Sequence, residues 1–380
     1  MSAAPAGERR PTPRTELAVW LALIVALVGL SQTGTPPRVV VLSAIVVAVT
    51  LAVSLRWRIG PLVIVVLLAV GLALRLVPSS GFSDVLIVTE AAAREMLAGG
   101  NPYGVGYDAS FPPGAPFPYG PVALVWYLPS LADPRRMELL AAFIVLGLLA
   151  IRGRPLGLAI YAVTPAFVVA AGDGSNDTTA GLLILIALLA AVRSPVAGAV
   201  LLALTVAFKP YALAWLPGLL AFGGYLAPLA AFALASAVLW LPALAAYGPG
   251  AMAWSVREAE ALHERPYYSL AYGLGLADSV SQPLWNALRV AVGVGLAVGN
   301  LVFVRTPVGL ILGGTLVFLA TLFLGWWSTF AYLAALAPIL CWHVDDWLGL
   351  GRFRIVWPGD PVRRVTTWAD IHHPVQSREV

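Results

Sequence analysis

Residues Ser83–Tyr119 read SDVLIVTEAAAREMLAGGNPYGVGYDASFPPGAPFPY, a polar and aromatic stretch between segments that are too apolar for water. Its first part, Asp84–Ala98, predicts an amphipathic helix, because apolar and charged side chains recur at helical spacing until Gly99 and Gly100 end it. The rest is a long loop rich in glycine, proline and aromatic residues, which is typical of a functional segment. We therefore interpret Ser83–Tyr119 as the cover of a membrane-embedded active site.

The composition of the chain around this stretch indicates a membrane protein. Of 380 residues, 60% are hydrophobic and 11% charged, and the mean hydropathy is +0.86. That is more apolar surface than a water-facing globule of this size can cover. The net charge of +4 comes from scattered arginines, which gives no support for nucleic-acid binding. The sequence predicts an all-α polytopic protein, and its preference for arginine and alanine suggests the plasma membrane of a high-GC bacterium, an actinobacterium.

The predicted spans follow from length, since a bilayer core of about 30 Å takes about 20 apolar residues per helix. Counting Val196–Phe222 as two short helices broken at Lys209-Pro210, they number about twelve. Arginines before the first span and between the second and third place those ends in the cytosol, so that Ser83–Tyr119 lies outside. The predicted spans are Leu17–Leu30, Val39–Leu55, Pro61–Val77, Met137–Ile151, Pro155–Ala171, Ala180–Val192, Val196–Phe222, Leu226–Ala246, Leu284–Val304, Val308–Leu324 and Trp327–Trp342.

This pattern predicts a single integral membrane domain over residues 1–380. Its parts are a cytosolic tail (1–16), three spans (17–78), an outer catalytic loop with interfacial helices (79–136), the remaining spans (137–343) with an outer segment (247–282), and a cytosolic tail (344–380) in which Asp345 and Asp346 are solvated. Val122–Leu131 is short, and we interpret it as an interfacial helix anchored by Trp126 and Tyr127. The alternative, a full span there, would reverse every later helix.

Two acidic groups stand at predicted outer helix ends. Asp84 follows the third span, where partial burial would raise its pKa and suit a general base. An N-cap role is an equally good interpretation, with Ser83 as a competitor. The turn GDGSND, Gly172–Asp177, offers Asp173, Asn176 and Asp177 to hydroxyls or to a cation. A plain turn with a helix cap explains that sequence about as well.

The basic candidates are fewer. Lys209 is the only lysine and precedes a helix-breaking proline, so it could neutralise a lipid-linked phosphate with Tyr211 nearby. Snorkelling to the interface is the alternative. After His263 and Glu264, the segment RPYYSLAYG (Arg265–Gly273) sets a cation beside aromatic rings, which suits a phosphate and a sugar or an interfacial aromatic belt. Arg257 and Arg289 are weaker phosphate candidates.

Taken together, these stretches resemble the GT-C class of membrane glycosyltransferases, which use polyprenyl-phosphate sugars. They are most similar to the bacterial phosphatidylinositol-mannoside mannosyltransferases and the first mannosyltransferase of GPI-anchor synthesis. The chain departs from that pattern in having three predicted spans before the aspartate loop instead of one, and in having a lone Asp84 where some members carry an acidic pair. The matching positions are Asp84, Ala91-Ala92, Gly99, Pro102-Tyr103, Tyr119-Gly120-Pro121, Pro165, Gly174–Asp177, Leu182–Leu189, Lys209-Pro210-Tyr211, Leu216-Pro217 and His263–Tyr268.

The resemblance implies inverting transfer of a sugar, mannose or arabinofuranose, from a polyprenyl-phosphate donor to a hydroxyl of a glycolipid or polysaccharide on the outer face of the membrane. It implies Asp84 as the catalytic base. Lys209, His263 and Arg265 would bind the donor phosphate. The resemblance gives no metal ligand and leaves open a divalent cation, Mg²⁺ or Mn²⁺, as cofactor. The substrate-binding candidates are Glu90, Tyr103, Tyr119, Asp173, Asn176, Asp177, Tyr211, Tyr267 and Tyr268.

Two other functions are consistent with the sequence. In a transporter or flippase of a lipid-linked or anionic solute, Lys209 and the GDGSND turn would line the path. Paired broken helices would favour that function, and the sequence predicts one break. A GT-C-like protein that has lost activity and serves as a structural partner would keep every motif quoted above.

Overall fold

The computed structural model describes residues 36–56, 60–77, 83–110, 113–263, 267–275, 279–348 and 350. Within these ranges the only strands are β1 (Gly106–Tyr107) and β2 (Ala115–Pro116), which pair antiparallel within the stretch Ser83–Tyr119. Two 3₁₀ segments cover Leu128–Ser130 and Pro210–Trp215. The helices are α1 (Pro37–Arg56), α2 (Pro61–Leu76), α3 (Val85–Leu97), α4 (Pro121–Trp126), α5 (Arg135–Ile151), α6 (Pro155–Val163), α7 (Pro165–Ala170), α8 (Asp177–Arg193), α9 (Pro195–Phe208), α10 (Leu216–Phe222), α11 (Leu226–Tyr247), α12 (Pro249–Ala261), α13 (Leu270–Gly273), α14 (Gln282–Phe303), α15 (Pro307–Phe323) and α16 (Ala331–Trp347).

Three helices of the described chain are long and apolar enough to cross a membrane: α1 over Pro37–Leu55, α11 and α14. Shorter apolar helices accompany them, among them α2, α9 and α15. The three long helices present many valine and leucine side chains at the surface, such as Leu42, Leu234 and Val294. This is the surface expected of helices that face lipid. The predicted span Leu17–Leu30 lies outside the described residues.

The centre of the molecule is α8. It packs against α9 on one side and α16 on another, and most of its side chains are buried, including Ile184, Leu185 and Leu188. Because it is apolar on every side, it is a core helix. α6 is buried in the same way among α1, α2 and α16. At the N-terminal end of each core helix, side chains from other helices form buried hydrogen bonds: Asp345 at α6, and Glu138 and Lys209 at α8.

The stretch Pro155–Ala171, predicted as one span, is broken into α6 and α7. Thr164 is extended (ψ 120°), because the residue before a proline is disfavoured in the helical region. Pro165 also has no N–H to give to the carbonyl of Tyr161. Arg75 of α2 replaces that donor: its guanidinium donates to the carbonyl oxygens of Tyr161 (2.7 Å) and Ala162 (3.2 Å). The chain therefore has a second discontinuous helix beside the predicted break at Lys209-Pro210.

The last helix is longer than predicted, since α16 runs to Trp347 instead of ending at Trp342. Asp345 is 1% exposed and accepts hydrogen bonds from the backbone N–H groups of Leu156 (3.1 Å) and Gly157 (2.8 Å). It thus caps the first turn of α6, whose N–H groups have no partner within their own helix. Asp346 forms an ion pair with Arg154. The prediction of two solvated acids in a tail that starts at residue 344 is wrong for this reason.

The stretch Val122–Leu131 forms only α4 and a 3₁₀ turn. Six helical residues rise about 9 Å, which is far less than a bilayer core of about 30 Å. Tyr127, predicted as an interfacial anchor, is fully buried instead.

Asp345→Ala should destabilise the chain, because two buried N–H groups of α6 lose their acceptor. A buried donor left without a partner costs about 1–3 kcal/mol, so the midpoint of thermal unfolding in detergent, followed by tryptophan fluorescence, should fall by several degrees. Asp133→Ala is the matched control, since Asp133 only pairs with Arg136 at the surface and should have little effect. Equal shifts for the two variants would contradict the capping role.

Candidate functional site

Lys209 lies where α9 ends. Its backbone is extended (φ −143°, ψ 113°), because Pro210 follows it. Its side chain is only 6% exposed, and Nζ donates a hydrogen bond to Oδ1 of Asp177 (2.7 Å) and another to Oδ1 of Asn176. The ammonium therefore points into the protein and does not snorkel to the surface.

Three tyrosine rings surround this ammonium. Their centroids lie 5.0 Å (Tyr211), 5.3 Å (Tyr119) and 5.6 Å (Tyr332) from Nζ, within the range of cation–π attraction. The Tyr211 hydroxyl also donates to Oδ1 of Asp177 (2.7 Å). Asp177 is the first residue of α8, where a helix N-terminus favours negative charge. The sequence-predicted residues Tyr119, Asn176, Asp177, Lys209 and Tyr211 thus form one cluster, which we call the lysine cluster.

Backbone hydrogen bonds join the start of α3 to the turn 172–177, which precedes α8. The N–H of Ser83 donates to the carbonyl of Asp173 (2.7 Å), and the N–H of Leu86 donates to the carbonyl of Gly174 (2.9 Å). Gly174 has φ +98°, and a Cβ there would lie 2.7 Å from the carbonyl oxygen of Ser83, so this close approach needs glycine. Asp84 lies between the two fastened residues and is therefore held at the end of the bundle that contains the lysine cluster.

Asp84 precedes α3, but its carboxylate does not cap that helix. It lies near enough to Tyr119 to interact electrostatically with the Tyr119 hydroxyl. The chain at Tyr119 crosses directly over the end of α9, since a Cβ on Gly120 would lie 2.1 Å from the carbonyl oxygen of Ala207. Tyr119 therefore interacts electrostatically with both Asp84 and the Lys209 ammonium.

Asp173 is buried beside the same turn, and its Oδ1 accepts a hydrogen bond from the N–H of Ser175 (2.9 Å). Burial raises the pKa of this carboxyl to about 6, against the lowering effect of the Ser175 hydrogen bonds. The negative charge of Asp177 raises the pKa further, whereas Arg135 lowers it. A carboxyl with such a pKa can hold or release a proton near neutral pH.

Glu138 is a site residue that sequence reasoning missed. It is fully buried and accepts hydrogen bonds from the Tyr127 hydroxyl (2.6 Å), the Thr179 N–H (2.9 Å) and the Thr179 hydroxyl. Thr179 belongs to the first turn of α8, so Glu138 holds the helix end that carries Asp177. No local signal reveals this, because Glu138 follows Arg135 and Arg136 like any charged helix start and its partner is 41 residues away.

Two predicted substrate-binding residues take other partners. Glu90 pairs with Arg94 one turn along α3, at 2.9 Å and 2.7 Å, on an exposed face. Tyr103 is buried, packs against Phe117 with ring centroids 5.4 Å apart, and donates to the carbonyl of Tyr119 (3.1 Å). Tyr103 supports the position of Tyr119 and does not itself face the lysine cluster.

The predicted residues of the second outer segment form a separate aromatic group. The His263 ring stacks on Trp327 with centroids 3.9 Å apart, and the Tyr267 carbonyl accepts from the N–H of Ser328 (2.8 Å). Tyr268 packs edge-on to Phe330 just before α16, the helix that carries Tyr332. Burial lowers the pKa of His263, so we expect a neutral ring at pH 7 that brings no charge to a phosphate. Arg265 lies outside the described residues.

The lysine cluster does not fit a divalent cation. Oδ1 of Asn176 and Oδ1 of Asp177 already accept hydrogen bonds from the Lys209 ammonium, whose positive charge opposes the binding of Mg²⁺ or Mn²⁺ beside it. In the described part of the chain there is no group of three or more His, Cys, Asp or Glu side chains that could hold a metal ion.

Comparison with protein-family models, with curated proteins and with solved structures found no match to this chain. The function must therefore be argued from the site itself.

Lys209→Met should destabilise the fold strongly, because it leaves the Asp177 carboxylate buried without its cation. Breaking such a pair costs about 3–5 kcal/mol. The double variant Lys209→Met/Asp177→Asn should recover part of this loss in thermal unfolding, since the uncompensated charge is gone. The exposed pair Arg136 and Asp133 is the control and should show little coupling. A double variant that is no more stable than Lys209→Met would contradict the buried ion pair.

The raised pKa of Asp173 predicts a pH-dependent stability. The folded chain holds this proton with a pKa of about 6, against an ordinary value of 3.8. The group therefore stabilises the fold fully below about pH 4, and this contribution is lost as the pH rises to about 6. The unfolding midpoint of Asp173→Asn minus that of the unchanged chain should increase over this window and then level off. A difference that does not vary with pH would contradict the prediction; subtraction removes groups common to both chains, such as His263.

Proposed function

We propose that the protein is a membrane glycosyltransferase that moves a sugar, mannose or arabinofuranose, from a polyprenyl-phosphate donor to a hydroxyl of a glycolipid or polysaccharide. The proposal includes a GT-C-like fold of about twelve membrane helices, with the site at the outer face of a bacterial plasma membrane. The observation that carries it is a pair of backbone hydrogen bonds, one on each side of Asp84, that join this segment to the 172–177 turn. The same end of the bundle holds Tyr119 and the lysine cluster. A carboxylate, buried acids and several hydroxyl groups there meet at one end of an apolar bundle.

In this reaction Asp84 accepts the proton of the acceptor hydroxyl as its oxygen attacks the anomeric carbon. The bond between that carbon and the donor phosphate oxygen breaks, and the polyprenyl phosphate departs with the bonding electrons. Attack from the side opposite the phosphate inverts the anomeric centre. Asp84 is suited to this step because it is half-buried and interacts electrostatically with Tyr119.

The departing phosphate gains negative charge, and fixed positive charge nearby lowers the barrier, as single oxyanion donors do by about 3 kcal/mol elsewhere. Lys209 is already bound to Asp177 and Asn176. Its charge is thereby neutralised, and its role in the proposal is to order the acidic turn that holds the chain at Asp84.

A transporter or flippase is the second candidate, and the break between α6 and α7 favours it. Together with the break after α9 it gives two discontinuous helices, which line the substrate site in many transporters. Thr164 at the first break is fully buried, and Arg75 binds the carbonyls beside it. In the described residues the break between α6 and α7 is therefore surrounded by packed side chains, so a transport path along it would require these helices to move apart.

Asp84→Asn should reduce transfer by about 10²–10⁴-fold, because the general base is lost. The measurement uses membranes that contain the full chain, radiolabelled polyprenyl-phosphate mannose or arabinose, and analysis of which lipid or glycan acquires label. Asp108→Asn is the matched control, since Asp108 is an exposed carboxylate of the same outer loop. Its transfer rate should equal that of the unchanged chain.

Transfer by Asp84→Asn at the unchanged rate would refute the assignment of the base. No label in any fraction, together with chain-dependent movement of the lipid-linked sugar across vesicle membranes, would favour the transporter.

A further inference from the structure

An apolar cavity of about 470 Å³ lies between α14 and α15. No charged residue lines it. At one end it reaches α13, and from there it extends along α14 and α15. The lining includes Leu270, Val292, Leu296, Leu316, Ala320 and Phe323. Such a lining suits a hydrocarbon chain and no polar ligand.

Arg289 lies close to residues that line this cavity. It precedes Val292 by three residues on α14, so both side chains lie on one face of that helix. Its guanidinium also lies against Gly325, where an added Cβ would be 3.1 Å from Nη1, and Gly325 follows the cavity residue Leu324. A permanent positive charge, the Arg289 guanidinium, therefore lies beside the apolar cavity.

The partner of Arg289 is exchangeable. Nη2 pairs with Oε1 of Glu260 at 2.8 Å, and Asn286 donates to the same oxygen at 3.3 Å. The two ion-paired side chains are 24% and 50% exposed, unlike the buried pair of Lys209 and Asp177. Solvated pairs of this kind are worth little. Arg289, and not Lys209, is thus the cation that can change partners when an anion arrives.

This cation is also close to the candidate site. Arg289 interacts electrostatically with Tyr332, whose ring lies 5.6 Å from the Lys209 ammonium. Tyr332 therefore interacts electrostatically with both Arg289 and Lys209.

We propose that Arg289 and the α14–α15 cavity bind an isoprenoid phosphate, with the phosphate on the guanidinium and the start of the lipid chain in the cavity. Arginine suits this role because its planar fork pairs with two phosphate oxygens. This binding site deepens the proposed glycosyl transfer and rests on it for the identity of the lipid.

The test is a titration of the purified full chain in phosphatidylcholine nanodiscs with undecaprenyl phosphate, followed by native mass spectrometry. Arg289→Gln should weaken binding about tenfold, as expected for the loss of one charge-assisted pair. Glu260→Gln should strengthen binding, because it removes the group that competes with the phosphate. Arg136→Gln is the matched control and should stay within twofold, since Arg136 is exposed on α5, which contributes no residue to the cavity lining. Undecaprenol, which lacks the phosphate, should bind Arg289→Gln and the unchanged chain equally.

The proposal is overturned if Arg289→Gln stays within twofold, if Arg136→Gln weakens binding as much, or if Glu260→Gln binds no better. Equal affinity for phosphatidylglycerol, with the same dependence on Arg289, would overturn the assignment of the lipid as an isoprenoid phosphate. Glu260→Gln keeps the native arginine and tests the proposal even if Arg289→Gln does not fold. The titration needs no sugar transfer, so its failure leaves the role of Asp84 standing, and failure of transfer leaves this binding result standing.

Discussion

A positive charge buried in an apolar bundle needs buried acceptors, and Lys209 finds them in Asn176 and Asp177. This one pairing joins the end of α9 to the start of the central helix α8. The turn before α8 in turn fastens the chain at Ser83 and so fixes Asp84. Glu138 holds the same helix end from α5. Polar contacts at a helix terminus thus hold the start of the stretch Ser83–Tyr119 in position, whereas the apolar packing of the helices is common to any such bundle.

The basic side chains divide into two kinds by burial. Arg75 and Lys209 sit at the two helix breaks inside the described bundle, where they satisfy carbonyl and carboxylate oxygens that would otherwise be unpaired. Arg289 is partly exposed, forms an ion pair with the exposed carboxylate of Glu260, and lies beside the α14–α15 cavity. The first kind holds the fold together, whereas the pair made by the second is solvated and weak. For this reason we propose Arg289, and not Lys209, as the residue that binds the phosphate.

Sequence patterns predicted much of the helical layout, because length and apolar composition determine where helices can cross a membrane. The break at Lys209-Pro210 was predictable from proline chemistry, and the break at Thr164 carries the same signal in Pro165 but lacks a charged residue to draw attention to it. The prediction for Asp345 was wrong and Glu138 was missed for a shared reason. Their partners lie 188 or 189 residues and 41 residues away, and no local pattern distinguishes a buried capping carboxylate from a solvated one.

The most direct measurement is a cryo-electron microscopy structure of the Asp84→Asn chain in nanodiscs with a polyprenyl-phosphate sugar. If one site is formed by Asp84, the lysine cluster and Arg289, we expect density for the phosphate at Arg289 and for the lipid chain between α14 and α15. The density of the sugar should lie beside Tyr119 and face position 84. Lipid density that runs along the break between α6 and α7, with nothing near position 84 or Arg289, would contradict it.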